Sequence, residues 1–126
     1  ALDADLLIAF LDPGDAQHER AVTELRPRLR AGDELLIGAT VYAEVIVRPL
    51  QQQNEATVDG FLEAAGVRFV PVDRAIARRA ARLRADHPAL RRPDAMSLAT
   101  ALENGAMLHT LDEKLTRVAA RAQHSS

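Results

Sequence analysis

The sequence contains no cysteine and no tryptophan, and its longest uninterrupted apolar run covers only residues 6–11. The absence of cysteine excludes disulfides, Cys-ligated zinc, iron–sulfur clusters and thiol nucleophiles. The apolar run is far shorter than the roughly 20 residues of a transmembrane helix. No basic-then-apolar leader opens the chain. We therefore expect a cytoplasmic protein that does not enter a membrane.

Aromatic residues and lysine are also scarce. The aromatic side chains are Phe10, Tyr42, Phe61 and Phe69. They are too few and too scattered for the base-stacking surface of an RRM or OB fold. The formal net charge of −2 excludes tight, non-specific nucleic-acid binding through overall charge. Arginines nevertheless concentrate between residues 74 and 92, so any bound nucleic acid would be held through its phosphates.

The remaining composition is that of an ordinary globular protein. The 126 residues are 48% hydrophobic and 27% charged, which excludes disordered, collagen-like and coiled-coil chains and predicts a single domain over residues 1–126. Predicted strands, at residues 1–5, 34–39, 67–72 and 106–110, alternate with predicted helices, at residues 15–30, 41–51, 57–65, 74–86, 92–103 and from 112 to about 121. This alternation predicts an α/β fold whose parallel sheet is covered on both faces.

Local signals refine these boundaries. Asp15 and Thr40 are predicted N-caps of the helices that follow them. Pro49 should kink or end the helix that carries Glu44. Pro71 should stand at the end of a strand or on an edge strand.

Five acidic residues are expected at the carboxyl ends of the strands, where parallel sheets bind ligands. Asp3 and Asp5 end the first strand and point to the same side of it. Glu44 lies one helical turn beyond the second strand, Asp94 opens a helix, and Asp112 follows the last strand. Each one alone could be a cap or turn residue. Together they predict an acidic cluster.

Such a cluster has an electrostatic cost. Two carboxylates about 5 Å apart repel by roughly 3 kcal/mol at an effective dielectric constant of about 20. The acids must therefore stay apart, share protons or be neutralised by divalent cations. Oxygen ligands without cysteine or a spaced histidine pair favour Mg²⁺ or Mn²⁺ over zinc. Sites of this kind commonly hydrolyse phosphodiesters with a metal-activated water.

Three segments, LDADLLIAFLD (2–12), ATVYAEV (39–45) and RRPDAMSLATALENGAMLHTLD (91–112), together resemble the PIN-domain family, in particular the VapC-type toxin ribonucleases. The resemblance implies a three-layer α/β sandwich with a central, mostly parallel sheet of four or five strands and helices on both faces. It also implies a Mg²⁺-dependent endoribonuclease (Mn²⁺ is a possible substitute) that is the toxin of a VapBC-type toxin–antitoxin system. The expected partners are RNA, a cognate VapB-type antitoxin and a second copy of the chain.

The resemblance also assigns residues. The predicted catalytic and metal-binding residues are Asp3, Glu44, Asp94 and Asp112. Asp5 stands where the family commonly has Ser or Asn, so it either adds a carboxylate or forms local hydrogen bonds. Thr40 and Thr110 could support the ligands, although a helix cap and ordinary strand packing are the alternatives. Residues spaced by four on one helical face could contact RNA or simply be solvated: Arg74, Arg78 and Arg82.

Two other functions remain open at this point. In a phosphoacceptor-receiver module, Asp3 and Asp5 would hold the metal and Asp73 would accept the phosphoryl group. That module needs a lysine after the last strand, and the only lysine is Lys114. In a catalytically silent binding protein, the acids would serve solubility or a partner's basic tail.

Overall fold

The computed structural model describes residues 1–125, with side chains through residue 123. The elements are, in order, α1 (Ala4–Leu11), α2 (His18–Ala31), β1 (Leu36–Gly38), α3 (Ala39–Val45), α4 (Val47–Gln51), α5 (Glu55–Ala64), β2 (Arg68–Val70), α6 (Arg74–Asp86), α7 (Arg92–Glu103) and α8 (Glu113–Ser125). Within the described residues, no helix has both the length and the apolar character needed to cross a membrane.

The sheet is parallel and small. β1 and β2 pair in parallel, with Leu36 opposite Arg68. Leu2 forms isolated parallel bridges to Ile37 on one side and to His109 on the other. Four segments therefore lie side by side, in the order His109, Leu2, β1, β2. The predicted α/β fold with a parallel sheet is confirmed, but in residues 1–125 the predicted four or five strands are reduced to two strands and two bridges.

The last predicted strand, residues 106–110, is reduced to the bridge at His109. The backbone N–H of Ala106 donates to a carbonyl in the last turn of α7 at 2.9 Å. The N–H of Leu111 donates to the Asp5 carboxylate at 3.3 Å. The N–H groups of Ala106 and Leu111, on either side of the bridge, therefore bond to a helix end and to a side chain and not to a neighbouring strand.

The prediction that Asp3 and Asp5 share a strand is wrong. The bridges are formed by Leu2, and the Asp3 N–H still donates to the His109 carbonyl at 2.9 Å. α1 begins at Ala4, so Asp5 lies in the first turn of a helix. Residues 6–11 are apolar throughout because α1 packs between α2 and α3. Ile8 is 38% exposed, yet it is apolar too, so residues 6–11 have no polar face and their sequence cannot be distinguished from that of a buried strand.

The predicted helix over residues 41–51 is two helices, α3 and α4, separated at Ile46. Pro49 lacks the N–H that would bond to the carbonyl of Val45, so the break falls where the proline predicts it. Thr40 is not an N-cap, since α3 already begins at Ala39 with Gly38 in the cap position.

Asp15 is not an N-cap either. Its carboxylate accepts the Gln17 N–H at 2.8 Å in a turn that precedes α2. The helices predicted at residues 74–86 and 92–103 are confirmed as α6 and α7.

Helices cover both faces of the sheet, as predicted. Leu36 packs into a core made with α6, α7 and α8, whereas its neighbour Ile37 packs into a core made with α1, α3 and α5. Successive strand residues face opposite sides, so β1 contributes to both cores. At the carboxyl end of β1, a Cβ on Gly38 would lie 3.2 Å from Thr100 Oγ1 of α7. The absence of a side chain on Gly38 therefore lets α7 pack closely against the end of β1, where α3 begins.

Candidate metal-dependent nuclease site

Asp3 lies immediately after Leu2, at the carboxyl end of the central segment of the sheet, and only 6% of its surface is exposed. Two hydroxyls bind its carboxylate: Ser97 Oγ lies 2.8 Å from Oδ1, and Thr110 Oγ1 lies 2.8 Å from Oδ2. Burial and the nearby charge of Asp5 raise the pKa of Asp3 to about 6, and the bonds from Thr110, Ser97 and the Ala4 N–H act in the opposite direction. Asp3 therefore carries a carboxylate that is easier to protonate than usual and is held in a fixed orientation.

Asp94 lies in the first turn of α7 and is buried. It stands three residues before Ser97, so the two side chains share a helix face. The bond from Ser97 to Asp3 consequently brings Asp3 to the same side of α7 as Asp94. Arg91 Nε donates to Asp94 Oδ2 at 3.3 Å.

Asp112 is half-buried just before α8. Its Oδ1 accepts the N–H groups of Lys114 at 2.9 Å and Leu115 at 3.1 Å, which ties the carboxylate to the start of that helix. Its own N–H donates to Thr110 Oγ1 at 3.2 Å. Asp112 and Asp94 line one cavity of about 610 Å³. Thr110 therefore connects Asp112 to Asp3, and the cavity connects Asp112 to Asp94.

Glu44 is the outlying member of the predicted set. It is exposed on α3 and lines a different cavity, together with Ile8 and Val47. The charge of Glu44 still acts on Arg91. The hydrogen bond to Asp94 raises the pKa of Arg91 most, and the charges of Asp112 and Glu44 raise it by smaller amounts. The charges of three of the predicted acids thus act on the guanidinium group of Arg91, and Asp94 is the one that bonds to it.

The residues predicted to support the ligands have different fates. Thr110 contacts Asp3 and also lies 3.1 Å from Asp5 Oδ1. Asp5 is exposed and accepts the N–H groups of Leu6 and Leu111, in agreement with the local alternative. Among residues 1–123, the Thr40 side chain forms no hydrogen bond to any of these acids. Its supporting role stays a prediction.

The arginine face on α6 exists as predicted. Arg74, Arg78 and Arg82 are exposed on a helix whose opposite face is buried. Arg79, on the same helix, instead pairs with Glu103 at 3.6 Å. Arg78 and Arg82 line a cavity that includes none of the predicted metal ligands, and the contact of this face with RNA stays a prediction.

The donor chemistry of the site fits a hard divalent cation, because every predicted ligand offers only oxygen atoms. Among the side chains of residues 1–123, however, no three Asp, Glu or His groups are positioned to hold a metal ion together. The structure brings Asp3, Asp94 and Asp112 into one connected region and leaves Glu44 at its margin. The set of four metal ligands stays a prediction.

Two residues of this region were missed by the sequence reasoning. Ser97 orients Asp3, and Arg91 pairs with Asp94. A helical spacing of three residues on either side of Asp94 is the signal that could have indicated both. Asp73, the phosphoacceptor of the receiver alternative, instead caps α6 by accepting the Ile76 N–H at 2.9 Å.

Residues 1–121 match the PIN domain family. Among solved structures, the chain is similar to a chain of a toxin–antitoxin complex from Klebsiella pneumoniae, with 26% identity and a TM-score of 0.68 over 90% of this chain and 86% of that chain. No curated protein matches the chain. The match to the family covers every acid described above, and the chain therefore belongs to the PIN domain family.

Proposed function

We propose that this chain is a single-domain, Mg²⁺-dependent endoribonuclease that acts as the toxin of a VapBC-type toxin–antitoxin system. The observation that carries the proposal is the hydrogen bond from Ser97 to Asp3, because it joins the acid at the centre of the sheet to the helix that bears Asp94. Membership of the PIN domain family supports the nuclease chemistry.

In this proposal Asp3, Asp94 and Asp112, together with Glu44, hold Mg²⁺ or, as a substitute, Mn²⁺. An ion held by these residues would supply the positive charge needed to activate water and to stabilise the departing oxygen of the phosphodiester. Ser97 and Thr110 keep the Asp3 carboxylate in one orientation through their 2.8 Å hydrogen bonds.

The RNA would approach through its phosphates. Arg74, Arg78 and Arg82 offer guanidinium groups on the exposed face of α6, and guanidinium geometry suits phosphate oxygens. The scarcity of aromatic residues, 3% of the chain, argues against recognition by base stacking.

A cognate VapB-type antitoxin and a second copy of the chain are the proposed protein partners. The antitoxin is supported by the similarity to a chain of the Klebsiella pneumoniae toxin–antitoxin complex. Copurification of this chain with the product of the neighbouring gene tests it, and light scattering of the purified chain tests the homodimer.

A cleavage assay tests the activity. Labelled RNA should be cut in the presence of Mg²⁺ or Mn²⁺, and the cutting should stop with EDTA. Asp3→Asn and Asp94→Asn should each reduce the rate by about a hundredfold or more, the scale seen when one transition-state contact is lost. Glu63→Gln, which makes the same acid-to-amide change at an exposed position on α5, is the matched control. Undiminished cleavage by folded Asp3→Asn and Asp94→Asn contradicts the proposal.

A silent PIN-fold binding protein is the second candidate, since no three acids of residues 1–123 are already positioned around a metal. A melting experiment separates the two functions. A metal that binds only the native state raises the melting temperature as its concentration increases. An unchanged melting temperature over millimolar Mg²⁺ and Mn²⁺ favours the silent protein.

A further inference from the structure

Arg91 holds an unusual position for a cation. It is the N-cap residue of α7, whose macrodipole places partial positive charge at that end. A cation there is unfavourable for the helix, so helix stability does not account for it. Two acids offset the positive charge of Arg91: Asp94, whose Oδ2 lies 3.3 Å from Arg91 Nε, and Asp112, which lines the same cavity.

The pair between Arg91 and Asp94 is asymmetric. The Asp94 side chain is only 12% exposed, whereas the Arg91 side chain is 74% exposed. Of the ion pairs found among residues 1–123, this is the one that involves a predicted metal ligand. The acid is therefore fixed inside the fold, and its cation is held from the solvent side.

We propose that Arg91 is an internal counter-ion that occupies the Asp94 carboxylate in the metal-free protein and competes there with the divalent cation. This inference rests on the proposed function, because it assumes that Asp94 is a metal ligand. Arg91 is a positioning residue in this role: it neutralises the acids until the metal displaces it towards solvent.

The geometry permits such an exchange. The contact is a single bond from Nε rather than a bidentate one, and a largely exposed ion pair is weak and screened by salt. A divalent ion carries twice the charge and can contact Asp94 and Asp112 from the cavity they share. The exposed guanidinium has open solvent to move into.

The test compares Arg91→Gln with Arg92→Gln, the same substitution one residue further along the exposed start of α7. Calorimetric titration with Mn²⁺ alone should give Arg91→Gln a Kd about two- to fivefold lower than that of the wild type, the scale of one exposed charge pair. Arg92→Gln should change the Kd less. In about 0.5 M KCl the difference between Arg91→Gln and the wild type should shrink, because salt screens the competing charge.

Melting curves give a second readout that does not depend on activity. In EDTA, Arg91→Gln should melt below the wild type, since Asp94 loses its counter-ion. Saturating Mn²⁺ should raise its melting temperature by more than it raises that of the wild type. A purely structural cap would give the loss in EDTA without the larger metal response.

The outcomes separate the two proposals. If the wild type binds Mn²⁺ and Arg91→Gln binds it equally or more weakly, the competition is refuted and the proposed nuclease stands. Reduced RNA affinity in Arg91→Gln at unchanged Mn²⁺ affinity would assign Arg91 to phosphate contact and also overturn the inference. If neither protein binds Mn²⁺, the inference and the proposed function fail together.

Discussion

Ser97 Oγ donates to Asp3 Oδ1 at 2.8 Å across a sequence separation of 94 residues. Both side chains are buried, so the bond is a link between the start of α1 and the second turn of α7. It favours the ionised carboxylate, and so does the bond from Thr110, yet burial and the charge of Asp5 prevail and leave the pKa of Asp3 at about 6. Burial thus disfavours the ionised form of Asp3, and perturbed pKa values of this kind cluster at functional sites.

Asp3→Asn should stabilise the metal-free protein at neutral pH. The pKa of Asp3 is about 6 in the folded protein against an ordinary value of 3.8, so its contribution to stability is complete below pH 3.8 and is lost as the pH rises through 6. The shift corresponds to about 3 kcal/mol as an upper scale. Urea unfolding in EDTA between pH 4 and 8 should therefore show a flatter pH dependence and a higher free energy of unfolding at pH 7.5 for the variant.

The control is Glu63→Gln, which replaces an exposed acid on α5. It should leave the pH profile of the wild type in place. A profile for Asp3→Asn that is indistinguishable from the wild type between pH 4 and 7 contradicts the raised pKa.

Ser97→Ala should raise the pKa of Asp3 further. The variant removes a donor to a buried carboxylate, and a bond to a charged group contributes about 1.5–3 kcal/mol, or roughly one pKa unit or more. Carbon-detected NMR of the Asp3 carboxyl during a pH titration measures the shift. Thr100→Val removes another buried α7 hydroxyl, one that donates to the Met96 carbonyl instead, and should leave the Asp3 titration where it was.

His109 should remain neutral well below its usual titration range. Burial first, and then the positive charge of Arg28, lower the pKa of His109 from 6.5 to about 4. Because the unfolded chain takes up this proton first, the free energy of unfolding should fall as the pH drops from 6.5 towards 4. Imidazole NMR measures the pKa directly. His87→Gln should not affect it, and a His109 midpoint near 6.5 would show that the lowering is absent.

Gly38→Ala should destabilise the protein by about 1 kcal/mol. A Cβ at this position lies 3.2 Å from Thr100 Oγ1, and overpacking of about 1–3 kcal/mol outweighs the gain of about 0.4–1 kcal/mol from a stiffer unfolded chain. Chemical denaturation of the two single variants and the double variant measures the coupling. The cost should vanish in the Thr100→Ala background. An equal cost in both backgrounds would place the strain elsewhere.

Arg78→Gln combined with Arg82→Gln should weaken RNA binding. In the Asp94→Asn background, which prevents cutting, the slope of log affinity against log salt should fall by about one to two units because two phosphate contacts are lost. Fluorescence anisotropy at several KCl concentrations measures it. Arg79→Gln, at an arginine paired with Glu103, is the control on the same helix. An unchanged salt slope in the double variant would exclude the α6 face as an RNA contact.

The sequence by itself determined the α/β class, the oxygen-only chemistry of the site and the limits of α6 and α7. The reason is that these features are local. Asp73 caps α6 through an N–H only three residues away, and Pro49 places the break after Val45 through one missing donor. The order of the motifs was likewise sufficient to indicate the PIN domain family, which the match over residues 1–121 confirms.

The tertiary structure alone decided which groups meet. Residues 6–11 form a helix that packs against α2 and α3. Because even the exposed Ile8 is apolar, the segment carries no period from which a helix could be predicted. The partners of Asp3, namely Ser97 and Thr110, come from distant parts of the chain. Strand propensity cannot anticipate that Asp5 occupies the Leu111 N–H. The spacing of residues along the chain predicts which side chains are neighbours within one or two turns of a helix. The burial of a side chain and the charges around it depend on which distant surfaces pack together.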